Sequence, residues 1–331
     1  MKEILNKLFA GEFLAKEEAK SILTDISAEK YNEASAAAFM TVFRMRAITP
    51  SELAGFRDAL IDLCVKVDLG NVDSIDIVGT GGDGKNTFNI STLTSFVVAG
   101  AGYKVTKHGN YGVSSVSGSS NVLEHLGYQF SNDQDVLRVQ LDKSNICFFH
   151  APKFHPAMKF VAPIRRALGV KTFFNLLGPL VNPAQPKRHL LGVFEERLTD
   201  LYHLAHEGED KAYAIVHAMD GYDEVSLTGD TKIITNTQNQ VVAPSYFGMN
   251  KIDPSEIFGG DTVKDAADIF IKIISNQGTT SQTNVVLANA SLAIQLFDHS
   301  KSISDCITEA RLSMESGNAY NALKKLIESS K

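Results

Sequence analysis

Apolar residues in the first 70 positions recur at helical spacing, as at Leu53, Phe56, Leu60 and Leu63, with almost no turn-forming residues between them. This pattern predicts a helical unit. Thr49-Pro50-Ser51-Glu52 marks one helix start: a threonine placed to cap, a proline in the first turn and a glutamate positioned to close a capping box. The run from Ala34 to Met40 is small or apolar on more than one face. A helix of that kind needs neighbours on both sides, which predicts a subunit interface there.

From Ile75 the texture changes to short β-rich runs alternating with helical stretches, at 75–78, 93–101, 104–106 and 122–126. That alternation predicts βαβ units and a largely parallel sheet. Gly178, Pro179, Pro183 and Pro186 interrupt it across 173–186, which predicts a hinge or crossing between subdomains. Strands resume at 190–194 and 212–217, and helices are predicted around 263–276, 281–298 and 303–328. The expected fold class is α/β: a small all-helical N-terminal domain at 1–70, joined by a returning segment near 160–183, and a larger α/β domain at 71–331 with a central, mostly parallel sheet.

Composition narrows the function classes. At 331 residues, with 44% apolar and 21% charged residues, the chain has the make-up of a soluble globular protein. The N-terminus lacks a secretion signal and no long uncharged apolar stretch occurs, so a cytoplasmic protein with no membrane partner is expected. A formal charge of −6 argues against a surface built for nucleic acid. Cys64, Cys147 and Cys306 lie far apart without metal-ligand spacing and are expected to be reduced, half-buried small hydrophobes.

The densest chemical signal is Gly79-Thr80-Gly81-Gly82-Asp83-Gly84, which follows an apolar strand and precedes a helix. Backbone N–H groups freed by glycine, followed by a helix N-terminus, suit phosphate. Four glycines in six residues exceed what a bare turn needs. The run also satisfies the dinucleotide fingerprint at Gly79, Gly81 and Gly84, but that reading requires an acidic residue about 20 positions later. No Asp or Glu stands between Asp83 and Glu124, whereas Lys85, Lys104 and Lys107 do. A stretch free of carboxylates suits a ligand rich in pyrophosphate. A P-loop reading ranks lower still, because Asn86 stands where a magnesium-binding Ser or Thr belongs.

Gly79 to Asp83, Asn89-Ile90-Ser91-Thr92, Lys107-His108-Gly109-Asn110, Ser114-Ser115, Ser117-Gly118-Ser119 and Asp223-Glu224, in this order, closely resemble the anthranilate phosphoribosyltransferases. Between them, His155-Pro156-Ala157-Met158-Lys159, Pro163-Ile164-Arg165 and the run from Phe174 to Pro183 belong to the same resemblance. The resemblance implies a nucleoside-phosphorylase-like architecture (class II), a homodimer through the helical domain, and transfer of phosphoribose from phosphoribosyl pyrophosphate to the amine of anthranilate with two magnesium ions. It assigns phosphoribosyl pyrophosphate to Gly79, Gly82, Asp83, Thr87, Asn89, Ile90, Ser91, Thr92, Lys107, His108, Gly109, Asn110, Gly112, Ser114, Ser115 and Ser119. It assigns anthranilate to Gly79, Asn110 and Arg165, and magnesium to Ser91, Asp223 and Glu224. Hard oxygen ligands suit magnesium, and a planar guanidinium suits the carboxylate of anthranilate. The chain departs from many members at Tyr111, Val116 and Asn121, where arginine, lysine and an acidic residue are usual.

Blander readings set limits on these residues. Asp223-Glu224 follows Asp220-Gly221 and could be a solvated turn pair. Arg165 and Arg166 point in different directions on a helix, so one at most lines a pocket. His108 is expected beside the substrate without moving a proton, and no general base is assigned. His203 and His206 are helically spaced but lack a third metal ligand, which predicts a solvated helix surface. Met158 and Phe160 are expected to pack on the core.

Overall fold

Four helices, Lys2–Phe9, Lys16–Ser27, Glu33–Met45 and Pro50–Leu63, open the computed structural model, which describes residues 1–112 and 116–331. The capping box before Pro50 forms as its sequence predicts: Thr49 Oγ1 accepts the Glu52 N–H at 3.2 Å and Glu52 Oε2 accepts the Thr49 N–H at 2.9 Å. Glu52 is fully buried, so its cap also serves tertiary structure. Its Oε1 takes the Leu14 N–H at 3.0 Å, and Arg46 neutralises its charge. The core of this unit is aromatic, with Phe39, Phe43 and Phe56 clustered around Phe173.

Phe173 arrives from the proline-rich crossing, and Val161 and Ile164 of the helix Met158–Leu168 enter the same core. The crossing is more ordered than a bare hinge. It carries the short helix Phe174–Leu177 and a 3-10 turn at Gly178–Leu180 before the chain enters the sheet again.

The sheet has strands β1 (Ser74–Gly79), β2 (Lys104–Gly109), β3 (Ile146–His150), β4 (Arg188–Gly192), β5 (Ala212–Ala218), β6 (Thr231–Thr235) and β7 (Asn239–Val242). Their spatial order is β3-β2-β1-β4-β5-β6-β7; the first five are parallel, while β6 and β7 run antiparallel. Strands covered on both faces read as unbroken apolar runs, as β3 does with all five residues buried. One face is covered by the helices Ile90–Gly100, Val263–Ile274, Thr280–Gln295 and Asn318–Glu328. The other meets the aromatic core of the N-terminal helices through Leu191, Val193 and Ile215.

Two sequence expectations are corrected. All three cysteines are buried rather than half-buried, each filling a core position. The expected last helix is two, Ile303–Glu315 and Asn318–Glu328, because Gly317 turns the chain at φ +77°.

Candidate active site

The chain runs from β1 to β2 to β3 on one side and then crosses back to β4 on the other side of β1, so a crevice opens at the carboxyl ends of β1 and β4. A cleft of about 510 Å³ lies there, with the glycine loop on one wall and the helix Met158–Leu168 on another. The loop leaves β1 and turns back through Gly81 (φ +62°) and Gly82 (φ +78°). Asp83 Oδ1 accepts the Lys85 N–H at 3.0 Å, and the Phe88 N–H donates to the Ile257 carbonyl at 3.1 Å, fixing both ends of the loop. The chain then enters the helix Ile90–Gly100. Ile90 itself is buried in the core, so only its backbone can face a ligand.

Among the described residues, several buried polar atoms on this wall have no partner: Thr80 Oγ1, Asn89 Oδ1 and Thr92 Oγ1. Buried polar groups are nearly always satisfied, so atoms left open along a cleft call for a polar ligand. Thr87, Gly79, Gly82 and Ser91 line the same wall.

Asp223 and Glu224 are not a solvated turn pair. They reach the cleft from beyond β5, and Asp223 is buried. Asp223 Oδ2 accepts the Gly81 N–H at 2.6 Å, and Glu224 Oε1 accepts the Ser91 N–H at 2.9 Å. Asp223 lies so close to β1 and β4 that a Cβ on Gly79 would strike its carboxylate and a Cβ on Gly192 its carbonyl. Burial pushes the Asp223 carboxyl up to about 7, with the Asp83 charge adding to it. Glu224 is raised by burial and then by Asp223, and Asp83 by burial. Three crowded carboxyls of raised pKa lack sufficient positive charge, and a hard divalent cation fits that need. Among the described residues no three acidic or imidazole groups converge as a complete ligand set. That agrees with magnesium, which takes one or two carboxylates and completes its shell with water and ligand phosphates.

Lys107 sits deeper than a phosphate-gripping lysine. It is buried, and its Nζ donates to the Ile77 carbonyl at 2.6 Å. Burial brings it down to about 8 against the opposing pull of Asp76 and Glu224. His108 is likewise buried and held near 3 by desolvation, hence neutral. Its Nδ1 lies 3.1 Å from the Gly178 carbonyl, while Nε2 has no partner among the described residues; its ring stands edge-on to His155 at 5.3 Å.

Beyond Gly109, exposed Asn110 turns its side chain onto the Tyr111 N–H (2.8 Å), and its carbonyl accepts from the Ser120 N–H and Ser119 Oγ. Asn121 Oδ1 clasps this turn by accepting the N–H groups of Gly112 (2.9 Å) and Gly118 (3.0 Å). Tyr111 packs edge-on to His150 at 4.9 Å and donates its hydroxyl to Glu124 at 3.2 Å. The departures at Tyr111 and Asn121 therefore build a clasp of hydrogen bonds and ring contacts, while Val116 is exposed. Ser114 and Ser115 lie outside the described residues.

At the far end, Arg165 is partly buried and faces the cleft, while Arg166 is exposed. Arg165 stands 5.3 Å over the Phe174 ring and reaches Asn175 Oδ1 at 3.4 Å, amid the apolar surfaces of Met158, Ala162, Pro179 and Val181. Met158 and Phe160 are half-buried against the helical core, and Met158 also lines the cleft. His206 corrects an expectation. It is buried, with Nδ1 2.8 Å from the Tyr202 carbonyl and its ring against Tyr213, because its helix packs on the sheet.

Residues 2–64 match the helical bundle domain of a glycosyl transferase family, and residues 71–320 match its a/b domain. The chain is 54% identical over 328 residues to an anthranilate phosphoribosyltransferase of Cytophaga hutchinsonii, covering 99% of this chain and 100% of that one. It is 52% identical to the enzyme of the same name from Christiangramia forsetii, covering 98% of each. The chain belongs to the anthranilate phosphoribosyltransferase family. Among solved structures of the family, that from Thermus thermophilus superposes with a TM-score of 0.92 at 30% identity, covering 98% of both chains. The Saccharomyces cerevisiae protein in complex with PRPP and Mg also gives 0.92, at 28% identity, covering 98% of this chain and 96% of that one.

Two residues around the site escaped the sequence reading, Asp76 in an apolar strand and Lys171 just beyond a helix end, and Asn182, within the run that carries the resemblance, had no role assigned. Lys171 Nζ donates to the Gly82 carbonyl and lies 4.3 Å over the Phe194 ring, adding a cation to the loop.

Proposed function

We propose that this cleft carries out the reaction of its family, moving the phosphoribosyl group of phosphoribosyl pyrophosphate to the amine of anthranilate and releasing pyrophosphate, as a step of tryptophan biosynthesis. The observation that carries this reading is the pairing of ends in one cleft. Open polar atoms and the Asp223-Glu224 carboxylates meet the glycine loop at one end, and Arg165 stands among apolar side chains at the other.

The phosphoribosyl pyrophosphate is assigned to Gly79, Gly82, Asp83, Thr87, Asn89, Ile90, Ser91, Thr92, Lys107, His108, Gly109, Asn110, Gly112, Ser114, Ser115 and Ser119, and anthranilate to Gly79, Asn110 and Arg165. Asp223 and Glu224 would hold magnesium together with Ser91, and two ions are proposed. When bound, they neutralise charge that develops on the departing pyrophosphate. The aromatic amine is a weak nucleophile, so the chain's contribution is alignment and electrostatics rather than a strong base. Orientation of two reactants can supply about 7–11 kcal/mol of the barrier. Backbone N–H groups at the turn of the glycine loop lie nearest the charge that grows as the glycosidic bond breaks, and the buried Lys107 ammonium adds positive charge from beneath the site. His108 stays neutral near pH 7 and borders the acceptor without removing its proton.

The same reading includes a small helical domain at 1–70 with the returning segment 160–183, a cytoplasmic setting, and a homodimer through the helical domain. Support for the dimer is the exposure of Phe9, Phe13 and Met45 on the N-terminal helices and the loop between them. No helix among the described residues is long and apolar enough to cross a membrane. Pyrophosphate release tests the function: it should require both substrates and magnesium. Phosphorolysis of a pyrimidine nucleoside in its place would contradict the reading.

A further inference from the structure

The ladder between β1 and β2 runs only through Ser74 with Lys104 and Ile75 with Val105. On their outer sides both strands stay paired to their ends, β1 with β4 through Gly79 and Gly192, and β2 with β3 through Gly109 and His150. The unpaired stretch is therefore confined to one seam, toward the carboxyl ends of β1 and β2. Polar side chains fill it. Asp76 accepts the His108 N–H on Oδ1 at 3.0 Å and an Asn182 Nδ2–H on Oδ2 at 2.8 Å. Asn182 Nδ2 also donates to the Thr106 carbonyl at 2.7 Å, and Lys107 Nζ crosses the other way to the Ile77 carbonyl.

An apolar pair would fill such a gap at lower cost, since burying two charges is weak evidence of a stability role. The arrangement does something an apolar pair cannot. Asp76 fixes the backbone at His108, from which Gly109 and Asn110 enter the cleft. It also precedes Ile77, whose carbonyl accepts from the Lys107 ammonium at 2.6 Å.

We propose that Asp76 is a positioning residue of the phosphoribosyl pyrophosphate site: it bridges β1 to β2 where their ladder stops, sets the exit direction of residues 107–110 and, beside the Ile77 carbonyl, helps hold the Lys107 ammonium in place. The inference rests on the function proposed above. Asp76 touches no substrate and acts through Lys107 and the His108 backbone.

A double-mutant cycle in the full-length protein tests it, using Asp76→Asn, Lys107→Met and the pair together, with both KM values, kcat and melting temperature measured. Asp76→Asn is expected to raise the KM for phosphoribosyl pyrophosphate about tenfold and leave that for anthranilate within about twofold. The pair is expected to be no worse than Lys107→Met alone, because residues acting through one another are not additive. An unchanged KM for phosphoribosyl pyrophosphate in Asp76→Asn, equal rises in both KM values, or effects that multiply in the pair would overturn it. Should Asp76→Asn fail to fold, the pair, which leaves no unmatched charge in the seam, is compared with Lys107→Met alone; a further tenfold rise there would overturn the proposal. Wild-type turnover is the control. Its absence would refute the proposed function, whereas normal wild-type turnover with an unaffected Asp76→Asn refutes this inference alone.

Discussion

Arg165 and Arg166 occupy adjacent positions on one helix, yet only Arg165 turns into the cleft, where burial lowers its pKa and Phe174 lies beneath its guanidinium. A hydrogen bond to a charged group contributes about 1.5–3 kcal/mol. Arg165→Ala should therefore raise the anthranilate KM roughly 10- to 100-fold in steady-state kinetics, with the KM for phosphoribosyl pyrophosphate little changed. Arg166→Ala should change neither. The raised carboxyls make a second expectation. A cation binds the ionised form, and the Asp223 carboxyl is pushed to about 7 when no cation is present, so the proton and magnesium compete. Magnesium affinity should then fall as pH drops below 7, toward tenfold per unit, as read by the thermal shift that added magnesium produces. A shift that grows on acidification would refute the metal role of Asp223. These residues were legible in sequence through the family resemblance; on their own, Asp223-Glu224 could be a solvated turn pair and Arg165-Arg166 a solvated helix face. Asp76 was not, because a single aspartate in an apolar strand carries no periodic signal, and its partners are 32 and 106 residues away.

Strand ends decide how closely the acidic segment can approach the glycine loop. Gly192 closes β4, and any Cβ there would overlap the Asp223 carbonyl, which rigid parallel strands on either side cannot relieve. Gly192→Ala should displace the Asp223-Glu224 segment, lowering kcat at least about a hundredfold while the far-UV circular dichroism stays native, a loss on the scale of removing one transition-state contact. Native activity in that variant would show that the approach is not needed. Most elements could be read from hydrophobic period and capping, as at Thr49 to Glu52. The antiparallel strands β6 and β7 could not, since Asn239–Val242 is short and partly exposed, with Gln240 and Val241 facing opposite ways. The order inside the crossing was also hidden, because prolines and glycines that read as a hinge instead build a turn whose Gly178 carbonyl meets His108.

Across the whole molecule, the helical unit meets the sheet through the aromatic core around Phe173, so the acceptor end of the cleft is built from both. Phe9, Phe13 and Met45 remain exposed on this unit, at 67%, 55% and 88%. Phe9→Glu with Met45→Glu should convert a dimer to a monomer in sedimentation equilibrium; a wild-type monomer would refute the proposed assembly. Which face is covered by a second copy is not encoded in hydrophobic period, because helices that pack within a chain and between chains carry the same stripe. The division of the cleft into a charged end and an apolar end is the central claim, and anthranilate fluorescence tests it most directly. With phosphoribosyl pyrophosphate and magnesium present, the protein should quench the fluorescence in proportion to pyrophosphate released, one for one, and Asp223→Asn with Glu224→Gln should abolish both signals. Fluorescence that stays constant in the wild-type mixture would contradict the account.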